Sequence, residues 1–286
     1  MSDQAEKLRK KLKTIESTPA KTIAVVSGKG GVGKSNITVN TAFSLVQKGY
    51  KVLIFDFDIG MGNINVLLGT DTKYTISDYI EKNIPFNEII FPGPNNISYI
   101  SAGNGFSEVL ELDNIFVQRL LEELEELQYQ YDFILFDMGA GATNANLQIL
   151  FSVDDIFVVT TPEPTSITDA YSMMKYIVLK SKENNLFLIC NRSEREKEGI
   201  LTLNRLQTVM KNFMNKDIYS LGILPEDSHV RKAVIRQVPF YTEFPSSSVS
   251  VKLEKIVQNY LGKKQYAISS TQSNPFIRKL RSFFER

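Results

Sequence analysis

A chain of 286 residues, of which 43% are hydrophobic and 23% charged, is long enough to bury one large core, so its composition favours a single α/β domain with terminal appendages. No run approaches the roughly 18 uncharged apolar residues of a membrane span, and the charged residues 3–7 are unlike a signal peptide. The net charge of +1 combines +3 in residues 1–21 and +5 in residues 263–286 with −7 in the remainder, which argues against broad DNA binding and favours anionic partners at the two ends.

Residues 3–15 are predicted to form a short amphipathic helix ahead of the domain. Asp3 followed by Glu6 is a capping-box-like start. The apolar side chains on one face are Ala5, Leu8, Leu12 and Ile15. Because residues 17–19 (Ser-Thr-Pro) then interrupt the pattern, this helix need not pack on the domain, and a solvated leader is the alternative.

Residues 28–35 match the phosphate-binding pattern G-x-x-x-x-G-K-[ST] at every fixed position. They are Gly28, Lys29, Gly30, Gly31, Val32, Gly33, Lys34 and Ser35. A β-branched run precedes them and a helical pattern follows, which is the order that the motif requires. The glycines allow backbone N–H groups to surround phosphate oxygens, Lys34 adds a positive charge, and the Ser35 hydroxyl can ligate Mg²⁺. The motif predicts a nucleotide-binding site.

Two predicted strands end in carboxylates. Residues 51–55 lead into Asp56 and Asp58, and residues 133–136 lead into Asp137, which is the Walker B pattern. Since ligands bind at the carboxyl ends of parallel strands, Ser35, Asp56 and Asp137 are the predicted magnesium ligands. Asp56 or Asp58, taken alone, could equally be a turn or cap residue.

Strand and helix patterns alternate along the rest of the chain. Strands are predicted at 97–101, 156–160, 186–191 and 218–224, and helices at 113–128, up to about 180, and at 246–261. Cys190 falls in one of these strands, which predicts a buried thiol. The alternation predicts a doubly wound, mostly parallel sheet with helices on both faces.

The last 13 residues form a second amphipathic pattern after a polar linker at 263–273. Asn274 caps and Pro275 opens a predicted helix with basic flanks. Its apolar face comprises Phe276, Ile277, Leu280, Phe283 and Phe284. Such a helix lies in an anionic membrane interface, and docking on its own domain is the alternative.

Three motifs resemble those of the MinD/ParA class of P-loop ATPases. They are K-G-G-x-G-K-[ST] at 29–35, D-x-D-x-G-x-x-N at 56–63 and D-x-G-A-G at 137–141, and the resemblance covers about 22–262. It implies that Lys29 reaches the phosphates of a second subunit, so that ATP drives homodimerisation. It also implies that Asp58 positions the hydrolytic water and that Asn63 lies near the dimer seam.

The same resemblance extends to the base of the nucleotide. It implies that Asn191 holds adenine, that Pro225 and Glu226 belong to a second loop beside it, and that Asp169 is a surface contact for partners. A histidine role in catalysis is not needed, because Lys34 and Mg²⁺ supply the charge.

The leader also resembles a family motif. Its Asp3-Gln4-Ala5-x-x-Leu8-Arg9 is similar to the D-Q-A-x-x-L-R helix of flagellar-number regulators of the FlhG (FleN, YlxH) type. That resemblance implies that Gln4 and the leader stimulate the signal-recognition-particle-type GTPase FlhF, with flagellar switch-complex proteins as further partners. It also implies a cytoplasmic protein that binds reversibly to the inner face of the cell membrane.

Four parts are therefore expected: an activator helix and linker (1–21), an ATPase domain (22–262), a linker (263–273) and a membrane-targeting helix (274–286). Two other functions stay open. A septum-positioning MinD would be expected to begin almost directly at its first strand, and a DNA-segregation ATPase is disfavoured by the acidic core and the lipid-binding pattern. No specific nucleic acid is expected as a partner.

Overall fold

The computed structural model describes residues 18–57, 64–101, 114–139, 144–181, 183–264 and 275–284. The predicted leader helix, with Gln4, and the predicted site residues Asp58 and Asn63 lie outside these ranges. Among the residues in these ranges, no helix is long and apolar enough to cross a membrane.

One eight-stranded sheet organises the chain, with the strand order β3-β4-β2-β5-β1-β6-β7-β8. Its strands are β1 (Lys21–Val26), β2 (Val52–Phe57), β3 (Phe91–Pro92), β4 (Ser98–Ser101), β5 (Phe133–Met138), β6 (Asp155–Thr160), β7 (Asn185–Ser193) and β8 (Tyr219–Pro225). Neighbouring strands are parallel except for the edge pair β3 and β4. The predicted doubly wound, mostly parallel sheet is confirmed, and β3 is a short addition that periodicity did not predict.

Helices cover both faces of the sheet, because alternate side chains of the strands form a core on each side. The first face carries α1 (Lys34–Gln47), α2 (Ile64–Leu68), α8 (Ser228–Arg236), α9 (Phe240–Glu243) and α10 (Ser248–Lys264). The second face carries α3 (Ile76–Glu81), α4 (Asn114–Leu127), α5 (Asn144–Ser152), α6 (Pro164–Lys180), α7 (Glu196–Met214) and α11 (Pro275–Phe284). Helix α10 continues to Lys264, past the predicted end of the domain at 262.

The C-terminal helix α11 forms where the sequence predicts it, but it is docked on the second face. Phe276, Ile277 and Leu280 are each at most 3% exposed. The Phe276 ring lies 5.5 Å from that of Phe136 in β5, and the Phe283 ring lies 6.5 Å from that of Phe151 in α5. The alternative of docking on its own domain is therefore the state that the structure shows.

Two ion pairs join the docked helix to neighbouring acidic residues. Arg281 lies 2.6 Å from Glu125 in α4, and Lys279 lies 3.2 Å from Glu183, just before β7. Two residues of the basic flank that predicts contact with anionic lipid, Lys279 and Arg281, are thus paired with protein carboxylates in this state.

A polar network on the first face fixes α1 against α10. Glu254 in α10 accepts hydrogen bonds from Ser44 at 2.8 Å and from Tyr241 at 2.7 Å, and it forms an ion pair with Lys48. Partial burial acts to raise the pKa of Glu254. The hydrogen bonds from Lys48 and Tyr241 outweigh this effect and lower the pKa to about 2. Burial, followed by the bond to Glu254, raises the pKa of Tyr241 to about 12.

We expect Glu254→Gln to lower the free energy of unfolding by about 2 kcal/mol at pH 7. The folded carboxylate has a pKa of about 2, below the ordinary glutamate value of 4.5, so it stabilises the fold above about pH 4.5 and loses this effect as the pH falls towards 2. Denaturant unfolding between pH 7 and pH 2.5 measures the difference.

The exposed carboxylate of Glu88 provides the matched control, and Glu88→Gln should leave the pH dependence unchanged. Equal loss of stability in wild type and Glu254→Gln between pH 4.5 and 2.5 would contradict the assignment.

Candidate nucleotide site

The phosphate-binding loop lies between β1 and α1, as the motif requires. Gly31 and Gly33 have φ angles of 75° and 96°, in the left-handed region that glycine adopts without strain. Lys34 is the first residue of α1 and is 7% exposed, so its charge is held close to the loop. The positive end of the α1 dipole adds to the charge of Lys34. Together, the dipole and the lysine favour a bound phosphate.

Gly28 is required by close packing. A Cβ atom at this position would lie 2.1 Å from the backbone carbon of Asp169 and 2.2 Å from its oxygen. The start of the loop therefore rests directly on the backbone of α6. Asp169, which the family resemblance implies as a surface contact, is half-buried and touches the loop through its main chain.

Asp56 and Asp137 lie next to each other at the carboxyl ends of two neighbouring strands. They are register partners in β2 and β5, and both are buried, at 4% and 1% exposure. Alternation directs both side chains to the face that α1 covers. The Thr38 hydroxyl lies 3.0 Å from Asp137 Oδ1, and the Ile64 N–H donates to Asp56 Oδ2 at 3.3 Å.

Thr38 was not predicted as part of the site. It lies one helical turn after Lys34, and its hydroxyl oxygen is also within hydrogen-bond distance, 3.0 Å, of the Lys34 carbonyl oxygen. The i+4 spacing from the motif lysine is a signal that could have identified it.

This donor set suits Mg²⁺. Ser35 supplies a hydroxyl, and the two aspartates supply carboxylates, which are the hard oxygen ligands that Mg²⁺ prefers. The described residues contain no group of three or more His, Cys, Asp and Glu side chains that could hold a metal. Mg²⁺ does not need such a cage, because it is commonly held by one or two side chains together with phosphate and water oxygens. When bound, it would neutralise charge on the phosphates.

A cavity of about 650 Å³ continues from the loop to the ends of β7 and β8. Gly33, Asn191, Pro225 and Glu226 contribute to its lining. The Asn191 amide donates to the Val32 carbonyl oxygen at 2.7 Å, so the predicted base-binding residue is attached to the phosphate-binding loop. The cavity brings the predicted adenine residues together, and their contact with adenine stays a prediction.

Lys29 does not point at this cavity. Its ammonium lies 3.1 Å from Glu163 Oε2 and 3.1 Å from Thr165 Oγ1, at the start of α6. In this structure the Lys29 ammonium is thus bound at the start of α6, and Lys29 is not among the residues that line the cavity.

Comparison with known proteins identifies the family. Residues 18–261 match the family model described as "ParA: NUBPL iron-transfer P-loop NTPase". The chain is 32% identical over 268 residues to "Flagellum site-determining protein YlxH" of Helicobacter pylori, covering 93% of this chain and 89% of that protein. It is 30% identical over 240 residues to "Antiactivator FleN" of Pseudomonas aeruginosa, covering 84% and 86%.

The chain belongs to the ParA/MinD family of P-loop NTPases. The solved structure of the septum site-determining protein MinD with Mg-ADP from Pyrococcus horikoshii has a TM-score of 0.69 and 26% identity to it, covering 88% of this chain and 100% of that one. The predicted family is therefore confirmed, and the protein is a MinD-like ATPase.

The one cysteine, Cys190, is buried in β7, and this burial raises its pKa to about 12, so it remains a thiol. Cys190 is therefore a core residue, as the sequence predicts.

We expect Gly28→Ala to weaken ATP binding by more than about tenfold, because the new methyl group forces the loop away from the α6 backbone. Fluorescence titration with a labelled ATP analogue measures the affinity.

Gly262→Ala is the matched control. A Cβ atom there meets no atom within 4 Å, so ATP affinity should stay unchanged and helix α10 should gain slightly in stability. Wild-type affinity in Gly28→Ala would show that the contact with Asp169 does not constrain the loop.

Proposed function

We propose that this protein is a MinD-like ATPase that regulates flagellar number and placement, with ATP as the switch. The observation that carries this proposal is the D-Q-A-x-x-L-R pattern at residues 3–9, ahead of a domain that is 32% identical to the protein named YlxH. The similarity to the protein named FleN supports it. ATP and Mg²⁺ are the proposed cofactors, and the inner face of the cell membrane is the proposed place of action.

The proposed reaction is hydrolysis of ATP within a homodimer. Lys34 and the loop bind the phosphates, and Ser35, Asp56 and Asp137 hold Mg²⁺. Lys29 enters the partner's site, where its charge stabilises the transferring phosphoryl group, and Asp58 positions the attacking water. Asn191, Pro225 and Glu226 select adenine.

Membrane binding requires helix α11 to leave its groove. Docking buries Phe276, Ile277 and Leu280, and the same side chains cannot face lipid at the same time. The proposed lipid contacts are these three residues with Phe283 and Phe284.

The groove lies across the sheet from the nucleotide site, at the same end of β5. Phe136, which contacts Phe276, immediately precedes Asp137 in β5. Helix α5, which carries Phe151 and also packs on α11, begins at Asn144, shortly after the switch II segment that the family resemblance assigns to 137–141. We therefore expect rearrangement of this segment in the ATP-bound dimer to move α5 and release α11.

Dimerisation then raises membrane affinity by avidity. A single interfacial helix anchors weakly, whereas the second helix of a dimer binds intramolecularly, so ATP should increase vesicle affinity by roughly 100-fold.

The double variant Glu125→Gln and Glu183→Gln should increase vesicle binding without ATP by about fivefold. It removes the two partners of the docked helix and leaves the lipid-binding face intact. Co-sedimentation with phosphatidylglycerol vesicles measures binding, and deletion of 274–286 should abolish it.

Glu122→Gln, an exposed carboxylate of the same helix α4, is the matched control. ATP-independent binding of the wild-type protein, or binding that survives the deletion, would overturn the proposed switch.

Experiments on the leader (residues 1–21) test the flagellar part of the proposal. A peptide of residues 1–20 should stimulate the GTPase activity of FlhF, and Gln4→Ala should remove the stimulation in the peptide and in the full chain. The ATPase activity of the full chain should be unaffected, because the leader precedes β1 and the site.

Lys10→Ala, on the opposite face of the predicted helix, should leave the stimulation intact. A full-length protein that leaves FlhF unstimulated with both nucleotides present would favour septum positioning, which the similarity to the protein named MinD supports as the second candidate.

A further inference from the structure

Helix α8 forms much of the wall of the base cavity, the space of about 650 Å³ that continues from the phosphate-binding loop. The residues of α8 that line it are Ser228, Val230, Arg231, Val234 and Ile235. Among the nine residues of α8, all of which the structure describes, only Ala233 is buried. Because a surface helix is normally fixed by a buried apolar face, the position of α8 depends strongly on the contacts at its two ends.

The N-terminal end of α8 is held by a carboxylate. Asp227 is the N-cap, and its Oδ1 accepts a hydrogen bond from the His229 backbone N–H at 2.9 Å. Its Oδ2 accepts a second bond, from the Val249 N–H at 3.3 Å, at the start of α10. This end of the wall is therefore attached to a neighbouring helix of the first face.

The C-terminal end of α8 rests on a glycine. Gln237 is the C-cap, and a Cβ atom at Gly69 would lie 2.8 Å from the Gln237 carbonyl oxygen. Gly69 also has a φ angle of 63°, in the left-handed region. Arg236 forms an ion pair with Glu243 nearby, but both side chains are exposed, and such pairs contribute little. The close approach of the two backbones therefore sets the position of this end.

The segment that carries Gly69 is more firmly fixed than α8. Leu68, the residue before it, is 3% exposed in the core of the first face. The hydroxyl oxygen of Thr70, the residue after it, lies 2.9 Å from that of Tyr99 in β4, and Tyr99 is 1% exposed. A side chain added at Gly69 would therefore displace α8 more easily than it would displace its own segment.

The same segment leads back to a proposed magnesium ligand. Helix α2 begins at Ile64, whose N–H donates to Asp56 Oδ2 at 3.3 Å, and it ends one residue before Gly69. Its five residues thus join Asp56 to the support of the cavity wall.

We propose that Gly69 is a positioning residue for base binding: by supporting Gln237, it sets the distance between the α8 wall and Asp56. The inference rests on the proposed function, in which the cavity binds adenine while Ser35, Asp56 and Asp137 hold Mg²⁺. A nucleotide must meet the loop and the wall at the same time. A displaced wall therefore weakens the contacts with the base and leaves the contacts with the phosphates intact.

The experiment compares full-length wild type with Gly69→Ala by calorimetry, using ADP and tripolyphosphate, each with Mg²⁺. Tripolyphosphate carries no base, so it reports on the phosphate-binding loop alone. We expect the variant to bind ADP about tenfold more weakly, because the new methyl group displaces α8, and to bind tripolyphosphate with wild-type affinity. A merely structural role, in which the substitution loosens the whole domain, would lower both affinities together with the melting temperature.

Two further variants separate the contact from backbone strain. Gly49→Ala also places alanine at a positive φ, 88°, but a Cβ atom there meets no atom within 4 Å, so both affinities should match wild type. Gly69→Asn introduces a residue that tolerates the left-handed region, yet its Cβ atom meets Gln237 in the same way. It should therefore weaken ADP binding as Gly69→Ala does, and recovery of ADP affinity in Gly69→Asn would attribute the effect to strain and overturn the inference.

GDP separates this inference from the proposal beneath it. If wild type binds ADP and GDP with equal affinity, the proposed adenine site is wrong, and the role of Gly69 falls with it. If wild type prefers ADP while Gly69→Ala keeps the wild-type affinity for ADP, only the role of Gly69 is wrong. Equal weakening of ADP and tripolyphosphate in Gly69→Ala would place the effect on the phosphate side and would also overturn that role.

Discussion

The nucleotide site depends on a backbone contact between the phosphate-binding loop and helix α6. Gly28 lies against the main chain of Asp169, at a distance that leaves no room for a side chain. This contact fixes the loop relative to β6 and α6, and it brings Lys29 within 3.1 Å of Glu163. The Asn191 amide ties the other side of the loop to the end of β7 at 2.7 Å. A loop held on both sides can bind phosphates with its backbone already in position.

Strand β5 connects this site with the docked C-terminal helix. Because side chains alternate along a strand, Asp137 faces α1 and the loop, whereas its neighbour Phe136 faces the other side and contacts Phe276 of α11. Two adjacent residues thus contribute to the two opposite faces of one sheet. A conformational change at the carboxyl end of β5 can reach helix α11 directly, through the contact between Phe136 and Phe276.

Docking also explains how an amphipathic, basic helix can exist on the domain without exposing its apolar face. Phe276, Ile277 and Leu280 join the core of the second face, and the basic flank meets Glu125 and Glu183. Helix α11 has an apolar face and a cationic flank. The groove offers apolar contacts to the first and carboxylates to the second, as an anionic membrane surface would. In the proposed function, the groove and the membrane therefore compete for the same helix.

The sequence alone predicts the family, the chain order of every strand except β3, and the residues of the phosphate-binding loop, because glycine spacing, β-branched runs and carboxylates at strand ends are local signals. It also predicted helix α11, but not its location, since a single apolar face fits a lipid surface and a protein groove equally well. Only the tertiary structure showed that Thr38 contacts Asp137, 99 residues away. Likewise, only the fold brings Glu163 to Lys29 and the Asp169 backbone to Gly28, because the crossovers that join parallel strands place residues distant in sequence side by side.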